Sequence, residues 1–225
     1  MSELHLFHGS SVIIEQSIFG RGRSYNDYGK GFYCTESLEL AKEWACNSDS
    51  DGFTNEYLLE TEDLKVLNLN SAEYNILHWL CLLMQHRRVR ISSPVAQRGK
   101  EYLQRNFSID LKHYDAIIGY RADDSYFAFA RAFLSNEISH DQLSRAMQLG
   151  KLGEQFMLKS KRAFDCIRFV GYEIAPRDIY YVKRKQRDEQ ARAGYQADLE
   201  RGDIEGLFMR DLIREGVASD DSRLL

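Results

Sequence analysis

The stretch from Gly29 to Trp44, GKGFYCTESLELAKEW, indicates a glycine turn, a short strand and a helix in close succession. Residues 20–31, which precede the strand, hold four glycines among polar side chains, as is typical of a loop. Phe32 to Cys34 predicts the strand, and Thr35 is placed to act as the N-cap of the following helix. Loop, strand and helix are therefore joined without a long connection.

Hydrophobic patterns on both sides of this stretch predict an α+β chain. Upstream, Leu4 to Phe7 indicates a first strand that opens into a turn at His8, Gly9 and Ser10. Further strands are expected at 56–60, 65–69, 114–120, 156–158 and 167–174, and helices at 72–86, 125–135 and 139–150 and near 162. Helices are thus inserted mainly between residues 70 and 150.

Length and composition favour one main domain. The chain has 225 residues, 44% of them hydrophobic, and no Gly/Ser-rich or Pro-rich linker divides it. After Tyr181 the apolar residues thin out and helix formers dominate. We therefore expect a domain over residues 1–182 and a helical C-terminal extension over residues 183–225.

The charge distribution argues against binding of nucleic acid through overall charge. The formal net charge is −4. From His86 to Arg105, however, six basic residues face one acid. This stretch is either a solvated helix face or a guide for the phosphates of a ligand or a nucleic acid.

Cysteine spacing and the N-terminal sequence bear on the compartment. The four cysteines are widely spaced without a CxxC pair, so neither a zinc site nor a disulfide framework is indicated. The N-terminus lacks the pattern of a signal peptide, and no apolar run is long enough to cross a membrane. We expect a cytoplasmic protein with no metal and no membrane partner.

Three features fit a site for NAD: HGS at 8–10, GKGFYCT at 29–35, and Gln155 on a late strand. A strand-end histidine can hydrogen-bond a ribose hydroxyl, and an adjacent glycine lets the backbone approach a carboxamide closely. A tyrosine ring can stack on nicotinamide. The ribose becomes cationic as nicotinamide leaves, so the site must favour developing positive charge.

The motifs LxHGS, DYGKGFY, AKEWA, YDxIIG and EQF all occur between Leu6 and Glu173. With them the chain resembles a bacterial branch of the ADP-ribosyltransferase superfamily. That branch is similar to the His, Tyr and Glu class, which includes the poly-ADP-ribose polymerases and diphtheria toxin. The resemblance implies a split β-sheet core and NAD as a substrate. It also implies a toxin or phage-defence role, with a small antitoxin-like partner.

The resemblance also implies residue roles, in which His8, Tyr33 and Gln155 are the catalytic residues. His8 would hold the ribose, Tyr33 would stack on nicotinamide, and Gln155 would orient the ribose 2′-hydroxyl. The implied NAD-binding set is His8, Gly9, Ser10, Asn26, Gly31, Tyr33, Thr35 and Trp44. In this set Gly9 contacts the carboxamide, Gly31 gives the ring clearance, and Trp44 is a second stacking aromatic. Asn26 and Asp27 lie where they could touch the adenosine half.

The late strand departs from the better-known pattern, which has a glutamate where this chain has Gln155. Glu154 is adjacent, but successive strand residues face opposite sides, so only one of the two can line the site. A glutamine brings no negative charge. Transfer of a single ADP-ribose to a protein or a nucleic acid is therefore expected rather than polymer synthesis. The alternatives are an NAD glycohydrolase and a binding module of the same fold without turnover.

Overall fold

The structure is a computed structural model that describes residues 3–89, 91, 93–122, 124–149 and 153–224. The chain forms two compact units. The first comprises Met1–Asn68, Leu111–Arg121 and Leu152–Arg187. The second comprises Leu69–Asp110, Ala122–Lys151 and Asp188–Leu225. The expected α+β class is confirmed, and the strands of the described residues all belong to the first unit.

The strands form two sheets. In the described residues they are β1 (Glu3–Ser10), β2 (Phe32–Cys34), β3 (Gly52–Glu60), β4 (Val66–Asn68), β5 (Ala116–Tyr120), β6 (Glu154–Leu158) and β7 (Ile167–Ala175). One antiparallel sheet has the order β1-β3-β7, and the other has the order β2-β6-β5-β4 with β4 parallel to β5. Phe7 and Thr35 exchange backbone hydrogen bonds of 2.7 and 2.9 Å, which join β1 to the end of β2.

The helices of the described residues are α1 (Leu38–Ala45), α2 (Ile76–His86), α3 (Pro94–Asn106), α4 (Asp124–Leu134), α5 (His140–Gln148), α6 (Lys161–Asp165), α7 (Arg177–Arg201) and α8 (Met209–Glu215). The four helices from α2 to α5 lie in the second unit, as does α8. Helices α2, α4 and α5 correspond to the helices expected at 72–86, 125–135 and 139–150. Helix α3 lies in the basic stretch, for which a solvated helix face was one of the two interpretations.

Pro94 starts α3 rather than interrupting a helix. It occupies the first turn, and Ser93 caps the helix by accepting a 3.1 Å hydrogen bond from the Ala96 N–H. A proline lacks an N–H that the first turn would leave unpaired, and its fixed φ suits a helix start. The basic stretch is therefore partly helical.

Apolar side chains from both sheets form the core of the first unit. Along β6, Phe156 and Leu158 lie in this cluster, whereas Gln155 and Met157 occupy the opposite face of the strand. The buried members of the cluster are Leu6, Cys34, Leu59, Ala116, Phe156, Leu158 and Ala163. Burial of each Leu or Phe side chain stabilises the fold by roughly 1.5–3 kcal/mol, which keeps Phe156 and Leu158 in the core. The opposite face of β6, which carries Gln155, is therefore the face that can meet a ligand.

Helix α1 begins two residues later than expected. The side chain of Ser37 is the N-cap, accepting a 3.3 Å hydrogen bond from the Leu40 N–H, so the assignment of the cap to Thr35 was wrong. The backbone of Thr35 is instead held by Phe7 in the bridge between β1 and β2. Its hydroxyl oxygen accepts the Ser37 N–H at 3.2 Å, which turns the chain into the helix.

Helix α7 runs across the boundary expected between residues 182 and 183. Its residues up to Arg187 belong to the first unit, where Arg187 is paired with Glu43 of α1. Lys183 forms a second, more exposed pair with Glu39 of the same helix. The start of α7 is therefore fastened to α1 by charged groups.

Candidate functional site

His8 lies near the C-terminal end of β1. This strand extends to Ser10, whereas the sequence predicted that it ends at Phe7. Its ring stacks on Phe32 with a centroid distance of 4.5 Å, and its Nδ1 lies 2.6 Å from the Tyr33 carbonyl oxygen. A carbonyl can only accept, so Nδ1 carries the hydrogen in this bond. The other ring nitrogen, Nε2, is then an acceptor whenever the ring is neutral.

The surroundings of His8 favour the neutral ring. Burial lowers the pKa of His8 below its ordinary value, and the bond to the Tyr33 carbonyl opposes this effect. The positive charge of Arg121 lowers the pKa further. At neutral pH His8 therefore offers Nε2 as an acceptor for a hydroxyl group.

Tyr33 is held by its hydroxyl group to the loop that precedes it. The hydroxyl donates a 2.6 Å hydrogen bond to the Gly29 carbonyl and accepts a 3.1 Å bond from the Tyr28 N–H. Gly29 has a φ of +86°, which favours glycine at this turn. The half-buried ring of Tyr33 is thereby fixed in orientation.

Gln155 lies on β6 and is only 4% exposed, whereas the neighbouring Glu154 is exposed. Its Nε2 donates to the Asp27 carboxylate at 2.9 Å and to the Tyr120 carbonyl at 3.1 Å. Both partners only accept, so the orientation of the amide is determined. Its carbonyl oxygen, Oε1, accepts no hydrogen bond from the described residues. The amide therefore has one end anchored in the chain and one acceptor left.

At two positions of the predicted site, the packing leaves no room for a side chain larger than that of glycine. A Cβ on Gly9 would lie 2.1 Å from the Ala41 carbonyl oxygen of α1, and one on Gly31 would lie 2.5 Å from the Leu158 carbonyl oxygen. Packing therefore requires glycine at both positions, in addition to the clearance for a ligand that was expected from sequence. On β1, Phe7 directs its N–H and C=O to Thr35, away from β3. Backbone direction alternates, so Gly9 presents its N–H and C=O at the same edge.

Ser10 and Asn26 take part in local backbone arrangements. The Ser10 hydroxyl donates to the Val12 carbonyl and accepts a 3.1 Å bond from Asn55 Nδ2. The Asn26 carbonyl accepts a 3.0 Å bond from the Gly29 N–H, which closes the turn before β2. Both residues shape loops beside His8 and Tyr33.

Trp44 is half-buried on α1 and has a cationic partner. The guanidinium carbon of Arg121 lies 4.0 Å from the centroid of the Trp44 ring, a close cation–π contact. Arg121 follows Tyr120, whose carbonyl accepts from both Gln155 and Tyr28. One face of the indole is thus covered by a side chain whose backbone is anchored at the site.

The residues expected from sequence to be catalytic come from three strands that are far apart in the chain. His8 is bonded to the backbone of Tyr33, while Tyr33 and Gln155 are both bonded to the segment from Asp27 to Gly29. Residues 4–169 match the family described as "Protein of unknown function (DUF3990)". The chain belongs to the DUF3990 family. No curated protein and no solved structure is significantly similar to it.

The DUF3990 match contains three site residues whose contacts the sequence did not reveal: Asp27, Asn55 and Arg121. Asn55 is fully buried in β3, where its side chain bonds the His8 carbonyl at 3.2 Å and the Ile14 N–H at 2.7 Å. A signal existed for Asn55, because asparagine is depleted in strands and a buried one needs partners. Arg121 and Asp27 carried no comparable signal.

Other features of the DUF3990 chain do not join this site. A cavity of about 420 Å³ in the second unit is lined by Asn136, Arg210, Asp211 and Arg214, and its Arg214 is paired with Asp211. Within the described ranges, no group of three or more His, Cys, Asp or Glu side chains could hold a metal ion. Over the same residues, no helix is both long enough and apolar enough to cross a membrane.

Proposed function

We propose that the chain is an NAD-dependent ADP-ribosyltransferase that transfers a single ADP-ribose to a macromolecule. The C1′–N bond of NAD breaks, its electron pair moves to the pyridinium nitrogen, and nicotinamide leaves as a neutral molecule. The ribose carbon becomes an oxocarbenium-like cation. A nucleophilic atom of the acceptor then forms the new bond to C1′ and releases its proton.

The observation that carries this proposal is a chain of hydrogen bonds that links His8 to Tyr33, and both Tyr33 and Gln155 to the segment from Asp27 to Gly29. These residues lie on β1, β2 and β6, and hydrogen bonds of 2.6–2.9 Å connect them through Tyr33 and the segment from Asp27 to Gly29. Acceptor atoms, a fixed aromatic ring and free backbone edges are the groups that a nicotinamide riboside unit requires.

Each residue then has a physical role. His8 Nε2 accepts a hydrogen bond from a ribose hydroxyl, and the Gly9 backbone pairs with the nicotinamide carboxamide. The Tyr33 ring stacks on the leaving group. Gln155 Oε1 accepts the 2′-hydroxyl hydrogen. The assignment of these roles follows the resemblance to the ADP-ribosyltransferases, and so does the suggestion of a toxin or phage-defence effector that a small partner protein neutralises.

The test is incubation of the purified chain with NAD labelled in its adenosine half, together with a cell extract. Label on protein or nucleic acid, with stoichiometric nicotinamide release, is the expected result. Release of nicotinamide with only free ADP-ribose would instead indicate a glycohydrolase. NAD that raises the melting temperature without any nicotinamide release would indicate a binding module, which the uncharged amide of Gln155 favours over the glycohydrolase.

The affinity for NAD should fall in acidic solution, as the pH drops through the lowered pKa of His8, because protonation of His8 removes the Nε2 acceptor. The folded pKa is lowered, so the neutral form persists at neutral pH and charges only in more acidic solution. The corresponding contribution to folding stability has the same sign: it is fully present above the unfolded pKa and is lost as the pH falls. Isothermal titration across this range measures the affinity.

His8→Gln is the control for this pH dependence, since glutamine keeps an acceptor but does not titrate. Its NAD affinity should stay constant over the same range. An identical acid-side fall in His8→Gln would contradict the assignment to His8.

Trp44 should contribute little to nicotinamide binding, because Arg121 covers one face of its ring. We expect Trp44→Leu to leave the dissociation constant of nicotinamide within about 2-fold of the wild-type value, whereas loss of an aromatic clamp would weaken it up to about 10-fold. Ligand-observed NMR measures this constant. Trp44→Phe keeps a ring beneath Arg121 and serves as the matched variant; strong weakening in Trp44→Leu alone would restore the clamp hypothesis.

A further inference from the structure

The buried carboxylate of Asp27 lies next to the uncharged residue of the site. Asp27 is 5% exposed, and its Oδ2 accepts the 2.9 Å hydrogen bond from Gln155 Nε2. The second N–H of the same amide is bonded to the Tyr120 carbonyl. The amide nitrogen of Gln155 is therefore bonded to a carboxylate, and the amide oxygen is left to accept a hydrogen bond.

This arrangement bears on a chemical difficulty of the proposed reaction. As the C1′–N bond breaks, positive charge leaves the nicotinamide ring and develops on the ribose. An amide oxygen can accept the 2′-hydroxyl hydrogen, but it stabilises the cation less than a carboxylate does. Glu154 does not remedy this, because it is exposed and lies on the opposite face of β6.

We propose that Asp27 and Gln155 act together in place of a single glutamate, with Gln155 holding the 2′-hydroxyl and Asp27 supplying the negative charge. This inference rests on the proposed function. A buried charge acts over a longer distance than an exposed one because solvent screens it less. The charge of Asp27 also polarises the Gln155 amide through the hydrogen bond between them, which strengthens Oε1 as an acceptor.

The effect belongs to the transition state rather than to binding. In bound NAD the positive charge is on the nicotinamide ring, and in the transition state it moves to the ribose that Gln155 holds. Asp27 therefore stabilises the transition state more than the bound substrate, and its loss should lower kcat rather than raise KM. No redox change occurs, and no proton is transferred to Asp27.

Asp27→Asn tests the charge with little change in shape, since asparagine keeps an oxygen that can accept from Gln155 Nε2. We take about 8 Å between the Asp27 carboxylate and the ribose cation, and an effective dielectric constant of about 20. Loss of this unit charge should then lower kcat for nicotinamide release roughly 30-fold. KM should stay within about 3-fold of the wild-type value. The double variant Asp27→Asn with Gln155→Glu returns the charge to the strand and should recover kcat to within about 3-fold of wild type.

Glu154→Gln is the matched control, because it removes an adjacent carboxylate that faces away from the site, and its kcat should be unchanged. A purely structural role for Asp27 predicts wild-type kcat in a folded Asp27→Asn variant, and that result would overturn the proposal. So would a folded double variant that stays as slow as Asp27→Asn. If Asp27→Asn does not fold, Asp27→Ser takes its place, since serine removes the charge and keeps an oxygen that can accept a hydrogen bond, and wild-type kcat in that folded variant would overturn the proposal.

The two proposals fail in different ways. A wild-type chain that releases no nicotinamide from NAD overturns the proposed function and the role of Asp27 with it. A wild-type chain that is active, alongside an equally active Asp27→Asn variant, overturns only the role of Asp27. Thermal unfolding of every variant separates loss of fold from loss of catalysis.

Discussion

Tyr33→Ala is expected to slow nicotinamide release by at least about 100-fold, the equivalent of about 3 kcal/mol of transition-state stabilisation. The variant removes the ring that stacks on the leaving group, a contribution of roughly 0.5–1.5 kcal/mol. It also removes the hydroxyl that binds the Gly29 carbonyl and the Tyr28 N–H, at roughly 1 kcal/mol for each bond. Single-turnover kinetics with the protein in excess over NAD measure the release rate.

Tyr33→Phe separates the two contributions, because it keeps the ring and loses both hydrogen bonds. We expect it to slow release by roughly 30-fold, the equivalent of the two lost hydrogen bonds, and so to remain faster than Tyr33→Ala. Tyr172→Ala, which removes a tyrosine that is 51% exposed on β7, should leave the rate unchanged. A folded Tyr33→Ala chain with wild-type turnover would contradict the stacking role, and equal losses in both Tyr33 variants would assign the effect to the loop.

The parts of the fold that local pattern determines could be predicted from the sequence. The strand Phe32–Cys34 and the helix after it lie where the stretch from Gly29 to Trp44 places them, and α2 lies within the expected helix. Errors arose where a tertiary contact competed with local preference. Thr35 has good capping chemistry, but its backbone is held by β1, so Ser37 caps α1.

The contacts of the candidate site could not be predicted in the same way, because they join distant parts of the chain. Gln155 and Asp27 are 128 positions apart, and nothing in either local sequence favours their pairing. The Arg121–Trp44 contact likewise depends on where β5 ends relative to α1. Gly9 was expected to be glycine for the sake of a ligand, and the close approach of the α1 backbone, a second reason, could not be read from the sequence. Residue type was therefore more predictable than partner.

Arg187→Met is expected to lower the free energy of unfolding by about 3–5 kcal/mol, because it removes the cationic partner of the buried Glu43 carboxylate. Arg187 binds both carboxylate oxygens of Glu43, at 2.8 and 2.7 Å, and the Glu43 side chain is only 3% exposed. Water cannot replace the lost partner at that burial. Urea unfolding of the full chain measures the change. Helix α1 packs directly against Gly9 through the Ala41 backbone, so a displaced α1 should weaken NAD binding as well.

Two further variants distinguish the stability cost of an unpaired buried charge from the cost of lost packing. Replacing both Arg187 and Glu43 by Met removes the pair together, and should cost far less than Arg187→Met because no buried charge remains. Lys183→Ala breaks the exposed pair with Glu39, whose side chains are 47% and 56% exposed, and should change stability by about 0–1 kcal/mol. If Arg187→Met were as mild as Lys183→Ala, α1 would not depend on α7 for its position. A strong effect would mean that the start of α7, which lies outside the matched residues 4–169, is part of what supports the candidate site.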